Sequence, residues 1–289
     1  MVPSHRGRRG VPEEIVRYVG EDAEIVLSTD DLTVLTGSGY CAHYGLPEVI
    51  ARERAVLLRE FDGNPLVLPQ VIDWDITWII TENLEVTSEW SDEEVFEAVR
   101  ELARFHDTFE DSPHLVSPIL RRPFGRDLPE LLAPARASGW QLPSPLDEIL
   151  LDPSPLIKAL EEMPFTILHG DPWPANVAKR GSEFVWLNWW QTSLGPGVAD
   201  FAAWLDQTPF QLGRTVDRLG QIEAYLEARG ETLDRKTFSR GLDAARIFWF
   251  LAYDVPQLRA LAQERPDLAE TMNIEAHRAW QAFEKSSRE

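Results

Sequence analysis

The segment from 165 to 204 narrows what this chain can be more than any other. Phe165 to Leu168 and Glu183 to Leu187 read as two short strands, each followed by a polar loop. The first loop holds His169, Gly170, Asp171, Trp173 and Asn176. The second opens on Asn188 and Trp189 and runs through Gly195 to Asp200, Phe201 and Ala202. An Asp followed five residues later by an Asn can do two jobs in phosphoryl transfer. The carboxylate can orient a hydroxyl nucleophile and accept its proton, and the amide oxygen can ligate a magnesium ion bridging the phosphates. The same chemistry wants a second carboxylate on the metal and a cation on the phosphates. Taken alone, so short a pattern equally suits a polar turn in which Asp171 and Asn176 only satisfy the backbone.

The rest of the chain divides into a strand-rich beginning and a helical remainder. Pro12, Glu13 and Glu14 form a first helical turn with Gly20 as its stop. From Ala23 to Tyr40 short β-rich runs, Ile25 to Leu27 and Leu32 to Leu35, are broken by Ser28 to Asp31 and by Gly37 to Gly39. Pro47 to Phe61 reads as a helix, followed by extended runs near Val67 and from Ile76 to Thr81. Ser91 to Glu94 is a capping box opening another helix. Residues 107–155 predict a loop and short helices. Further helices are expected over Val216 to Ala228, Arg235 to Tyr253 and Glu275 to Phe283. The reading is α+β with two lobes, 1–83 and 84–289, the second carrying the polar loops.

Charge sharpens this. Twenty-eight Lys and Arg against 48 Asp and Glu leave −20. Nucleic acid and an anionic membrane surface are unexpected partners, because both require cations on the protein. A small cationic molecule suits the negative field. The single cysteine, Cys41, excludes an internal disulfide and points to a reducing cytoplasm. It has no obvious catalytic partner in the sequence and reads as structural. The N-terminal Arg6, Arg8 and Arg9 precede no apolar run and do not form a secretory signal. His106 and His114 read as core contacts rather than metal ligands, and no Cys or His spacing suits zinc.

The spacing His169, Asp171, Asn176 matches the kinase catalytic loop in form. With Gly170, and with Asn188-Trp189, Gly195 and Asp200-Phe201-Ala202 downstream, the chain resembles the aminoglycoside phosphotransferase and choline kinase family. Leu102 to His106 resembles the helix preceding that family's catalytic loop, and Ile79 to Glu82 its strand entering the adenine hinge. Arg52-Glu53 resembles its ion-pairing glutamate. The resemblance implies a protein-kinase-like fold with ATP held between two lobes and its γ-phosphate passed to a small-molecule hydroxyl. On that reading Asp171 is the catalytic base and His169 packs against and braces the loop. Asn176 and Asn188 are the magnesium ligands, and Asp200 holds the loop through backbone hydrogen bonds. Thr81, Glu82, Asn83 and Glu53 lie on the nucleotide side. Trp173 is the candidate for contact with a cationic acceptor.

Two departures stand out. Asn188 fills the place where the family has a metal-binding Asp, so the site loses a charge. Kinases also hold the phosphates with a strand lysine paired to the helix glutamate. That position falls near Thr36 when the alignment is anchored on Leu32 to Leu35. The four lysines are Lys158, Lys179, Lys236 and Lys285, so the first 157 residues have none. Arg52 and Arg54 are the nearest alternative cations. The alternative to a phosphotransferase is therefore a pseudokinase that binds a ligand or a protein partner without chemistry.

Overall fold

The computed structural model describes residues 11–86, 89–112, 118–121, 124, 128–142, 144–230 and 233–288. The N-terminal arginines and His114, singled out above, lie outside them. By its contacts the chain divides into two units, Met1–Glu89 with His169–Thr192, and Trp90–Leu168 with Ser193–Glu289. The segment bearing His169, Asp171, Asn176 and Asn188 thus belongs with the strand-rich unit.

That first unit is built on an antiparallel sheet. Its strands are β1 (Glu24–Ser28), β2 (Leu32–Gly37), β3 (Tyr40–Gly45), β4 (Val71–Trp74) and β5 (Trp78–Glu82), in the order β1-β2-β3-β5-β4. Helix α1 (Glu13–Val19) covers one face, where Ile15 and Val19 pack on Leu35, Ala42, Trp78 and Ile80. Helix α2 (Pro47–Leu57) covers the other, where Val49 and Ile50 pack on Leu32 and Val34, with Leu27, Cys41 and Trp190 around them. Strand β3 was not visible in the sequence because Tyr40 to Gly45 has no apolar run. Its side chains nevertheless alternate strictly. Tyr40, Ala42 and Tyr44 join the α1 face, and Cys41 joins the α2 face.

Helix α2 stops four residues short of the expected Phe61. Arg59 takes a left-handed backbone (φ 56°), its N–H bonds Val56 O, and the Glu60 N–H bonds Ala55 O. This pairing satisfies the last carbonyls and ends a helix even without glycine. The catalytic-loop segment adds a further hairpin, β7 (Val177–Arg180) with β8 (Glu183–Trp186), turned at Gly181 and pinned to residue 67 by the Trp186 N–H on Val67 O. The sequence predicts loop throughout 169–182, since Val177 and Ala178 alone make too short an apolar run.

The second unit is mostly helical. Helix α3 (Asp92–Phe109) opens on Ser91 with the expected capping box in place. Short helices α4 (Leu128–Leu131), α5 (Ala133–Ser138), α6 (Ser144–Leu151) and α7 (Ser154–Glu161) follow. Strands β6 (Phe165–Leu168) and β9 (Ser193–Pro196) pair antiparallel. Helices α8 (Val198–Leu212), α9 (Arg218–Ala228) and α10 (Arg235–Trp249) complete the core. The expected helix to Tyr253 changes character past Trp249, where a π-helical turn spans Phe250–Asp254 before α11 (Val255–Glu264). The last helix, α12 (Pro266–Arg288), is much longer than expected. Its early buried face is made by Ala269, Ala276 and Ala279, too small to register as an apolar stripe. No helix among the described residues is long and apolar enough to cross a membrane.

Candidate active site

The loop after β6 is shaped by its glycine. Gly170 has φ 87°, and a Cβ there would sit 2.3 Å from the Gln191 carbonyl oxygen. Only glycine allows both the backbone turn and the close approach. His169 is fully buried between Trp186 and Trp189, with ring centroids 5.8 and 4.3 Å away. Its Nδ1 accepts the Asp171 N–H at 3.3 Å, so its Nε2 carries the proton and donates to Leu187 O at 2.9 Å. The imidazole therefore ties the start of the loop to the end of β8.

Asn176 closes the loop. Its Nδ2 donates to the Asp171 carbonyl oxygen at 2.7 Å and to Asp171 Oδ2 at 2.8 Å. Its own N–H caps a 3₁₀ turn at Pro174–Asn176 by bonding Trp173 O. Asn176 O accepts the Leu187 N–H at 2.9 Å, which brings the next residue, Asn188, beside it. Asn188 adopts a left-handed backbone (φ 61°, ψ 55°), which Asn tolerates better than most residues. Its Nδ2 donates to Asn176 Oδ1 at 2.6 Å. A continuous chain thus runs from the Asn188 amide through Asn176 to the Asp171 carboxylate. Trp173 stands half-buried at the start of the 3₁₀ turn.

Magnesium needs oxygen ligands, with carboxylates supplying the charge. Here the Asn176 oxygen already accepts a hydrogen bond, and Asn188 turns an N–H donor toward it. Asp171 is the one carboxylate in this chain of contacts. No group of three or more His, Cys, Asp or Glu among the described residues is placed to hold a metal. As arranged, these residues do not fit a magnesium ion.

On the sheet side, Glu53 is almost wholly buried and joins two structures. Its Oε2 lies 2.7 Å from His43 Nδ1, and its Oε1 accepts the Trp189 N–H at 3.2 Å. Kinases pair this helix glutamate with a lysine on the third strand. The third strand here is β3, so the lysine's place is taken by His43 and not, as the alignment on β2 suggested, by Thr36. Thr36 lies on β2 between Glu24 and Cys41. Counting back from the first helix residue, Pro47, would have found β3. Burial opposes a charge on His43, but the Glu53 carboxylate and the Cys41 thiol outweigh it and hold the imidazole well above its ordinary value. The charged form of His43 is thus favoured, and it is fixed to Glu53.

Neither proposed arginine substitute faces phosphate chemistry in these contacts. Arg52 Nε donates to Trp190 O at 3.2 Å, and the Arg54 guanidinium lies over Trp74, 4.8 Å from the ring centroid. The turn between β1 and β2, where a kinase carries a glycine-rich cover for the phosphates, is Thr29, Asp30 and Asp31. It is closed by the Thr29 hydroxyl accepting the Asp31 and Leu32 N–H groups. Thr81 is buried in β5 opposite Cys41. Glu82 pairs with Arg180 and accepts the Gln70 N–H at 2.6 Å, while the Asn83 N–H bonds Gly39 O at 3.0 Å. Asp200 stands in the helical unit, fully buried, with Oδ2 3.2 Å from His106 Nε2.

No family model matches the chain, and no curated protein matches it by sequence. Solved structures do. A choline/ethanolamine kinase family protein from Mesorhizobium loti is 17% identical and superposes with a TM-score of 0.56, over 94% of this chain and 95% of that one. The GDP complex of an aminoglycoside 2'-phosphotransferase-IIIa is 14% identical with a TM-score of 0.60, over 89% and 92%. An amicoumacin kinase in complex with AMP-PNP and Ca2+ is 12% identical with a TM-score of 0.60, over 95% and 94%. Over nearly its whole length, then, the chain has the two-lobed α+β kinase-like fold that the choline kinase and aminoglycoside phosphotransferase structures share.

Proposed function

We propose that this chain binds a small hydroxylated, cationic molecule at Asp171 on a phosphotransferase fold, and that metal-assisted transfer from ATP is largely lost. One observation carries the reading: the 2.6 Å hydrogen bond from Asn188 Nδ2 to Asn176 Oδ1, which occupies the oxygen a metal would need. The sheet side agrees with it. A histidine committed to Glu53 replaces the phosphate-binding lysine, and two aspartates sit in the β1–β2 turn, where a triphosphate would meet repulsion. A net charge of −20 suits a cationic ligand. The solved structures similar to this chain include enzymes named for choline, ethanolamine and aminoglycosides, all amines bearing hydroxyl groups.

A second reading, in which transfer persists, is favoured by the Asp171–Asn176 contact of 2.8 Å, the arrangement expected of a working base loop. In it Asp171 orients the acceptor hydroxyl and takes its proton. Calorimetry with ATP, with and without magnesium, and mass spectrometry of a panel of hydroxylated amines incubated with both, separate the two. The first reading expects amine binding that Asp171→Asn abolishes, no magnesium-dependent ATP binding at millimolar concentration, and no phosphorylated product. Product formed by the unaltered protein would establish the second. Asn188→Asp restores a carboxylate and should raise magnesium-dependent ATP affinity by at least about tenfold, the scale of one recovered charge contact.

A further inference from the structure

The helical unit carries a cavity of its own. Its volume is about 600 Å³, within the range of small-molecule sites, and it is lined by Trp140 and by residues of α11 and α12. Gly139 ends α5 in a left-handed turn (φ 66°), and the Trp140 N–H then bonds the Ser138 hydroxyl at 3.1 Å. The indole N–H donates to Asn273 Oδ1 at 3.3 Å. The Asn273 amide is itself fixed by donating to Ala269 O at 2.9 Å. The indole is thereby anchored to α12. Glu270 precedes Asn273 by three residues, so the two are neighbours on the helix face that lines the cavity.

The lining has two kinds of chemistry. Ala262, Pro266 and Ile274 join the half-buried Trp140 ring in an apolar wall. Glu270 adds an exposed carboxylate that has no ion-pair partner among the described residues. The arginine on the lining, Arg278, is turned to Glu275 at 2.6 Å. A free carboxylate beside an indole and apolar walls suits a cation that carries an apolar body. We propose that this cavity binds an arylalkylammonium ion, with its ring against Trp140 and Ile274 and its ammonium on Glu270. The site is separate from the one proposed at Asp171. Every residue of the lining belongs to the helical unit, and Asp171 belongs to the strand-rich one. An anion of the same shape would meet the Glu270 carboxylate and the negative field of the whole chain.

The probe is 2-phenylethylamine, with 3-phenylpropionate as its anionic counterpart, each titrated into the full-length protein labelled with nitrogen-15. Indole N–H resonances report the binding, and the one missing from Trp140→Phe belongs to Trp140. The amine should move that resonance with a Kd below about 1 mM, which a ligand of its size can reach. Glu270→Gln should weaken it about three- to fivefold, the scale of one exposed charge contact. The propionate should bind more weakly still. Glu270 is exposed on α12, so its variant keeps the fold. No movement at about 10 mM amine overturns the proposal. So does equal binding of the amine and the propionate, or of the amine to wild type and Glu270→Gln. Asp171→Asn should leave the titration unchanged. Loss of the shift in that variant would overturn the separate site and assign the amine to Asp171.

Discussion

Each unit buries one histidine against one carboxylate, and the two imidazoles are shifted in opposite directions. In the strand-rich unit, His43 and Glu53 are 2.7 Å apart and the imidazole is held well above its ordinary value. In the helical unit, His106 and Asp200 are 3.2 Å apart, both fully buried, and the imidazole is pushed below it. Burial opposes the charge in both. At His43 the Glu53 carboxylate overcomes burial; at His106 the Asp200 carboxylate does not, and the Arg229 cation adds to the opposition. His106 has the Tyr225 hydroxyl at 2.8 Å, itself raised by burial, and the Arg229 cation nearby. The same kind of contact therefore favours the charged imidazole in one unit and the neutral imidazole in the other.

The largest expected effect comes from exchanging each carboxylate for its amide. Glu53→Gln leaves a buried imidazolium facing a neutral group, a loss of about 3–5 kcal/mol. Asp200→Asn still offers an acceptor to a neutral imidazole, so its cost is about 1 kcal/mol. Urea unfolding of the two variants at pH 7 measures the gap. Equal costs would break the contrast.

The pH dependence has opposite signs. A raised folded value means His43 contributes stability that is complete below the unfolded value, near 6.5, and is lost as pH climbs through the folded value. A lowered folded value means His106 costs stability as pH falls from 6.5 through its folded value. Urea titrations at pH 5, 6, 7 and 8 should show the wild-type advantage over His43→Gln shrinking toward pH 8. The advantage over His106→Gln should grow from pH 5 to pH 7.

The two regions also differed in how much the sequence disclosed. The loop from His169 to Asn176 could be read because its residues lie close together in the chain, and glycine, aspartate and asparagine at fixed spacing carry a backbone and a chemical meaning at once. The capping box at Ser91 was legible for the same local reason. His43 was not, because its meaning depends on Glu53 ten residues away on another element and on recognising a strand with no apolar run. The Asn188 contact was hidden too. The sequence shows that a carboxylate is missing there, but not that the amide nitrogen turns toward Asn176. The π-helical turn at Phe250–Asp254 left no trace, since the residues on either side are equally helical in character.

A third buried group extends the contrast from histidine to carboxylate. Asp254, at the end of the π-helical turn, is raised to about 7 by burial and by the negative charge of Asp206. Asp206 has its own cations, Arg246 at 3.0 Å and Arg218, and neighbouring Asp243 is raised to about 6 by burial despite Arg246. Asp254 therefore faces a like charge where Glu53 faces an opposite one. The folded state holds its proton where the unfolded chain has released it, so stability falls as pH rises from about 4 through 7. Asp254→Asn cannot ionise and should leave stability unchanged at pH 4 while adding about 1–3 kcal/mol at pH 8, part of what a shift of this size represents. Thermal unfolding at the two pH values checks it. A variant that is no more stable at pH 8 would mean that Asp254 ionises without cost, and that the charge on Asp206 is spent entirely on its arginines.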